Sequence, residues 1–385
     1  MNRRDFLTTA AAATVAAGAF VPRVLAADDF QKADGMNYAP TAKPNPVVGP
    51  GQFNIAAIRL DHGHIYGMCN GLTEAGATIK TVWDPDAMKT AAFLAKYPQA
   101  KVAASLEEVL ADPDIKLVCC DAVTSERGPI GCKVMEAGKD YFSDKAPFTT
   151  MEQLDQAKDV VTRTGRKYMV YYSERLHNES AMFATDLVER GAIGKIVSVT
   201  ILAPHRLAKA GRPAWFFERE KYGGILCDLG SHQFEQLLTF TRSGDATIAY
   251  AAVGNFANAD TPELEDFGEA CATGDSGTAG YVRVDWFTPD GAKAFGDGRT
   301  FIVGTKGTIE LRKYMDVARG GGDQVYIIDE KGEQHIDVAG KVGFRFFGQL
   351  ILDCLHRTEN AMTQAHAFKA AELCLRAQAM AVKVT

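Results

Sequence analysis

The chain has no basic run, no Cys-x-x-Cys pair, no internal repeat and no glycine-rich loop after its first strand. Each absence excludes something. Lys and Arg number 42 against 48 Asp and Glu, a net charge of −6. A mildly acidic chain without a basic patch is not built to bind nucleic acid or an anionic membrane surface. Without Cys-x-x-Cys there is no zinc knuckle and no thioredoxin-like motif. No apolar stretch is long enough for an anchoring helix, so no stable membrane insertion is expected. What is present is ordinary globular material: 385 residues, 46% hydrophobic and 23% charged. That composition excludes disorder and a disulfide miniprotein, and the length calls for more than one domain.

The first 26 residues read as an address. Asn2-Arg3-Arg4-Asp5-Phe6-Leu7 precedes an Ala-rich stretch, Thr8 to Val21, and small residues frame a cut after Ala26. A basic start, a short apolar segment and a small-residue cleavage point describe a secretory signal. Paired arginines followed by Phe-Leu resemble the twin-arginine export signal; an ordinary secretory signal that happens to carry Arg-Arg is the other reading. The twin-arginine route carries folded proteins loaded with a cofactor, so an exported, periplasmic location is expected. Removal of residues 1–26 takes away Arg3, Arg4, Arg23 and Asp5, which leaves 39 − 47 = −8. Eight cysteines would enter an oxidising compartment. Most lie inside apolar patterns such as Leu117–Cys120, where free buried cysteine is common.

Residues 27–51 are polar and carry Pro40, Pro44, Pro46 and Pro50, the texture of an extended arm. From residue 52 to 172 strands alternate with helices: Asn54–Ile58, Thr78–Trp83, Ile115–Cys120, Asp140–Phe142 and Lys167–Tyr172, with helices between them and a capping box at Ser105-x-x-Glu108. Continuous apolar strands in that alternation predict a Rossmann-like, doubly wound parallel sheet covered on both faces. From 173 to 385 the pattern becomes α+β. Alternating strands such as Tyr281–Phe287 and Thr300–Val303, and hairpin turns at Gly304–Gly307 and Lys331-Gly332, predict a large, open, mainly antiparallel sheet. Helices are expected at Pro129–Ala137, Phe347–Thr358 and Ala361–Val384.

Two polar segments stand where a ligand would bind. Asp144-Lys145-Ala146-Pro147 follows a short buried strand, at the carboxyl edge of the sheet. Gly223-Gly224 and Asp228-x-Gly230-x-His232 open a helix, with Asp228 and His232 at i and i+4 on one face. A lysine, a carboxylate and an imidazole suit proton transfer at a hydroxyl; the alternative is a helix-surface pair and a solvated lysine. The loop after the first strand, Arg59-Leu60-Asp61-His62-Gly63-His64, has no glycine at the three positions of a dinucleotide fingerprint. Asp84 ends the second strand 20 residues after His64, where a carboxylate meets ribose hydroxyls and disfavours a 2′-phosphate. His62 and His64 have His-x-His spacing beside Asp61, but no second donor cluster is identifiable, so no metal is expected.

On these residues the chain, from about residue 53 to 385, resembles the Gfo/Idh/MocA oxidoreductases. Asp144-Lys145-Ala-Pro147 resembles that family's Glu-Lys-Pro motif with an inserted Ala. Gly223-Gly224…Asp228-x-Gly230-x-His232 matches its Gly-Gly…Asp-x-Gly-x-His segment. Thr124 to Arg127 stands where the family has Thr-Pro-x-x-x-His. The resemblance implies an NAD(P)-dependent enzyme acting on a secondary hydroxyl of a sugar, cyclitol or derivative; Asp84 favours NAD over NADP, and export away from free NAD calls for a cofactor held tightly. Lys145 would polarise the hydroxyl, His232 would be the acid/base, and Asp228 would hydrogen-bond a neighbouring hydroxyl or tune that proton transfer. Arg59, Asp61, His62, Gly63, His64, Asp84, Thr124, Arg127, Asp144 and Lys145 would face the cofactor. His205, Arg206, Arg212 and Trp215 would line the substrate side. Two other functions stay open: an NAD-dependent glycosidase using transient C3 oxidation, and a non-catalytic sugar-binding protein with a degenerate nucleotide loop. A homo-oligomer, dimer or tetramer, is expected.

Overall fold

A computed structural model describes residues 43–384, preceded by the short antiparallel pair β1 (Lys32–Ala33) and β2 (Met36–Asn37). The proposed signal lies outside the described residues. The first layer contains β3 (Asn54–Leu60), α1 (His64–Glu74), β4 (Thr78–Trp83), α2 (Ala87–Lys96), β5 (Lys101–Val102), α3 (Leu106–Ala111), β6 (Ile115–Asp121), α4 (Thr124–Glu136), β7 (Asp140–Asp144), α5 (Met151–Thr164) and β8 (Tyr168–Tyr171). The six strands pair in parallel in the order β5-β4-β3-β6-β7-β8. The chain moves outward from β3 to β5, then returns to lay β6 on the other side. The crevice between the carboxyl ends of β3 and β6 is therefore the topological switch point, where open α/β sheets bind ligands.

Local chemistry sets the helix ends. Asp86 caps α2 by accepting from the Met88 amide, and Ser105 caps α3 by accepting from the Glu108 amide. Glu108 reaches back to the Ala104 amide at 2.7 Å, completing a box one residue wider than the usual one. Helix α4 begins at Thr124, five residues before the predicted start at Pro129. A proline inside a helix orphans a carbonyl one turn back. Here that carbonyl, of Ser125, accepts from Gln153 Nε2 at 2.9 Å, so the helix tolerates Pro129. α1 lies close against its neighbours through two glycines. A Cβ at Gly67 would stand 2.5 Å from the Tyr171 hydroxyl, and one at Gly71 2.3 Å from Phe347.

The second part comprises α6 (Ser173–Leu176), α7 (Glu179–Glu189), β9 (Ile196–Pro204), α8 (Arg219–Tyr222), α9 (Ile225–Asp228), α10 (Gly230–Thr241), β10 (Ala246–Gly254), β11 (Phe267–Gly274), β12 (Ala279–Asp285), β13 (Arg299–Gly304), β14 (Gly307–Arg312), β15 (Gln324–Asp329), β16 (Gly332–Asp337), α11 (Arg345–His356), α12 (Gln364–Met380) and β17 (Val382–Lys383). Its nine strands run β16-β15-β14-β13-β9-β12-β11-β10-β17, antiparallel except for the β9–β12 and β10–β17 pairs. Burial alternates along β9 and β11, as in a sheet with one packed face. Helices α10 and α12 pack together over it. Strand β10 escapes the sequence pattern, because it carries a register shift between Ile248 and Tyr250 that interrupts its alternation.

Residues 43–51 lie on their own chain: the Val47 amide donates to the Ala75 carbonyl, and Val47 packs at Gly348 of α11. All eight cysteines are unbridged and seven are buried. No helix among the described residues is long and apolar enough to cross a membrane.

Candidate active site

Lys145 follows β7 directly, at the carboxyl edge of the parallel sheet. Its Nζ donates to Asp228 Oδ1 at 2.6 Å, and both side chains are buried. This contact joins the first layer to α9. The helix that carries Asp228 and His232 is not continuous: α9 ends at Asp228 and α10 starts at Gly230, with Leu229 between. Both side chains nevertheless line one cavity of about 310 Å³ together with Lys145, His62 and His64. Burial alone would raise the Asp228 carboxyl, but Lys145, then His62 and Arg212, hold it below the ordinary carboxylate value. Burial pushes the His232 imidazole down to about 3, so its ring is uncharged near neutrality. His232 Nδ1 is buried without a hydrogen-bond partner.

Behind His232 stands a group that the sequence analysis missed. Glu174, in the short α6 after β8, accepts from Lys313 Nζ at 2.6 Å and from Gln233 Nε2 at 2.8 Å, and lies 3.4 Å from His205 Nε2. Burial opposes its charge, yet Lys313, His205 and His232 hold it well below the usual carboxylate range. Its position just past the last parallel strand was the available signal. Of the expected substrate residues, His205, Arg206 and Arg212 line the cavity. Trp215 does not: it packs beside Phe216 at a centroid distance of 5.9 Å. The aromatic wall is instead Trp286 and Phe295, with the Arg212 guanidinium over the Trp286 ring at 4.9 Å.

The nucleotide crevice is built without its glycines. Arg59 adopts φ 50°, the left-handed conformation that glycine supplies in the usual turn. Gly63 caps α1 with no side chain, so the helix start offers its amides to an anion. One of them is taken: Ile65 N donates to Asp121 Oδ2 at 2.8 Å. Asp84 sits at the end of β4 and accepts from the amides of Leu60 and Asp86 at 2.6 and 2.8 Å. Each carboxylate oxygen keeps a second lone pair for a ribose hydroxyl. Asp61 is held by Arg59 at 3.0 Å and Lys89 at 2.5 Å, and Arg59 also pairs with Glu126. The left-handed turn, the uncapped helix and the strand-end acid fit a dinucleotide.

Three expected cofactor residues turn out to be internal. Thr124 is 1% exposed, Arg127 1% and Asp144 0%. Arg127 donates from Nε to the Ala122 carbonyl at 2.7 Å, reaches the carbonyls of Lys145 and Ala146, and pairs with Asp144 at 3.1 Å and Asp121 at 3.5 Å. It braces the ends of β6 and β7 and has no hand free for a phosphate. Burial opposes ionisation of both carboxylates. His64 and Arg127 keep Asp144 well below its ordinary value, whereas Asp144 and burial hold Asp121 well above. His62 and His64 both turn to Asp144, at 3.3 and 2.8 Å, and not to Asp61. The donor cluster missing from the sequence is thus completed by a residue 80 positions away.

A parallel sheet with a nucleotide crevice at its switch point, facing a lysine–carboxylate–imidazole cavity from an open-sheet layer, defines a two-part dinucleotide-dependent oxidoreductase. Residues 47–172 match the oxidoreductase family with NAD-binding Rossmann fold, and residues 182–310 match the GFO/IDH/MocA C-terminal domain. The chain belongs to the Gfo/Idh/MocA oxidoreductase family. A crystal structure of an oxidoreductase from Erwinia carotovora atroseptica is 45% identical, covers 86% of this chain and 100% of its own, and superposes with a TM-score of 0.84. A scyllo-inositol 2-dehydrogenase (NAD(+)) of Bacillus subtilis is 27% identical over 66% of this chain and 69% of its own length. An uncharacterized oxidoreductase of Schizosaccharomyces pombe is 28% identical over 38% of this chain, and the match spans 39% of that protein.

Proposed function

We propose that the protein interconverts a secondary hydroxyl and the corresponding ketone of a sugar, a cyclitol or a derivative, using NAD that it holds tightly. The observation that carries the reading is the 2.6 Å Lys145–Asp228 pair beside an uncharged His232, in one cavity at the carboxyl edge of an NAD-binding sheet. The similarity to an inositol dehydrogenase supports the substrate class. Arg59, Gly63 and Asp84 would hold the dinucleotide, which when bound supplies a two-electron acceptor for a carbinol hydrogen.

The chain's own groups do the rest. The Lys145 ammonium, fixed by Asp228, donates to the reacting oxygen and stabilises negative charge there. His232 accepts the hydroxyl proton at its ring nitrogen in the oxidising direction and returns it in the reverse. The Glu174 carboxylate faces the imidazolium formed in that step and lowers its cost. Trp286 and Phe295 cover the apolar face of a ring, and Arg212 meets its hydroxyls.

Export by the twin-arginine route would take the protein away from free NAD, so the cofactor would be loaded before export and regenerated within each turnover by coupling oxidation of one sugar to reduction of a second, carbonyl-bearing sugar. Protein purified from the periplasm is denatured, and the supernatant is assayed for NAD(H) and NADP(H). One equivalent of NAD(H) per chain supports the proposal. No released dinucleotide, together with no thermal shift on adding NAD, overturns it.

A further inference from the structure

We infer that His62, His64 and Asp144 form a binding site for a divalent transition-metal ion, of the zinc class, opening into the active-site cavity. The inference stands on donor geometry and does not depend on the redox reading.

The three side chains place ligand atoms within 4.8 Å of one another. His62 Nδ1 lies 3.3 Å from Asp144 Oδ2, and His64 Nδ1 lies 2.8 Å from Asp144 Oδ1. Tetrahedral zinc with bonds of about 2.0–2.1 Å separates its ligands by about 3.3 Å, and both nitrogen–carboxylate separations lie near that spacing. The two rings stand nearly perpendicular at a centroid distance of 4.3 Å, and each turns its Nδ1 toward the same carboxylate.

Hydrogen bonding alone does not satisfy this cluster. His62 Nδ1 and Asp144 Oδ2 are both buried and make no hydrogen bond of good geometry, although the Arg127 guanidinium stands 3.1 Å from Asp144 Oδ2. A buried imidazole nitrogen without a hydrogen-bond partner is costly unless a ligand fills the gap. The cations nearby are already matched: Arg127 faces Asp144 and Asp121, and Lys145 faces Asp228. Arg127 also holds the Asp144 carboxylate in place, the role of an outer partner in metal sites. Two imidazoles and one carboxylate leave coordination positions open, the pattern of reactive and not of structural sites. Both histidines line the cavity with Lys145 and Asp228, so the open positions face a bound hydroxyl or carbonyl oxygen.

The test uses full-length protein carrying no histidine tag, stripped with chelator and dialysed against Zn2+ or Co2+. Metal content is read by mass spectrometry, and Co2+ geometry by visible absorption. One equivalent per chain, a tetrahedral or five-coordinate Co2+ spectrum, and loss of both in His62→Ala/His64→Ala with unchanged circular dichroism support the site. If that variant does not fold, His64→Gln replaces it, with affinity expected to fall about tenfold or more. Substoichiometric metal in the wild type, or equal binding in the variants, means a hydrogen-bonded histidine pair only and overturns the inference. No substrate or dinucleotide enters the assay, so its failure leaves the redox proposal untouched.

Discussion

Lys145 and Asp228, 83 residues apart, meet at 2.6 Å and join the carboxyl edge of the parallel sheet to the helices of the open sheet. The pair is both a structural bolt and the centre of the proposed chemistry, and the two roles separate experimentally. Lys145→Ala leaves a buried carboxylate unmatched, a change that costs about 3–5 kcal/mol when one partner of a buried pair is removed. Thermal unfolding of Lys145→Ala and of the Lys145→Ala/Asp228→Ala double variant is expected to show partial recovery in the double. Activity stays lost in both, by about 10²-fold or more. Full activity in Lys145→Ala would remove this site from consideration.

His232 gives a pH signature with a defined sign. Its folded value of about 3 lies below the unfolded value of 6.5, so the unfolded chain binds the proton first. Its contribution is fully present above about pH 6.5 and is lost as pH falls toward 3. Denaturant unfolding across that window is expected to fall less steeply in His232→Asn than in the wild type.

Asp84 is predicted to set cofactor preference. Its replacement by Ser keeps an acceptor for neighbouring amides but removes the charge that repels a 2′-phosphate. Calorimetric titration is expected to show weaker NAD binding by about tenfold and a narrower gap to NADP. Unchanged affinity for both would place the adenosine ribose elsewhere.

Gly71 marks where α1 and α11 touch. A Cβ there would stand 2.3 Å from Phe347 Cζ. Gly71→Ala is expected to lower stability by about 1–3 kcal/mol through overpacking, despite alanine's better helix propensity. A raised melting temperature would show that Phe347 moves aside freely.

Arg59 holds φ 50° while pairing with Asp61 and Glu126. Arg59→Gly relieves the backbone and removes the cation together. Tm is expected to change little, and NAD affinity is expected to fall; measured side by side, the two readouts separate the turn from the charge.

Periodicity alone determined much of this protein. Apolar runs between helices of matching length can only be a parallel sheet, so the first layer was legible, as were Lys145 at a strand end and Asp228 near His232. These are local facts, carried by neighbours in the chain. Tertiary structure decided the rest. Arg127 looks in sequence like a group for a cofactor, but only the meeting of β6 and β7 shows it walled in by Asp121, Asp144 and three carbonyls. Trp215 and Trp286 are equally aromatic in sequence, and folding alone puts Trp286 at the cavity. His62 and His64 acquire Asp144 from 80 residues away, and His205 and His232 acquire Glu174. Burial and long-range pairing set which charged groups brace and which react, and neither property is written in spacing along the chain.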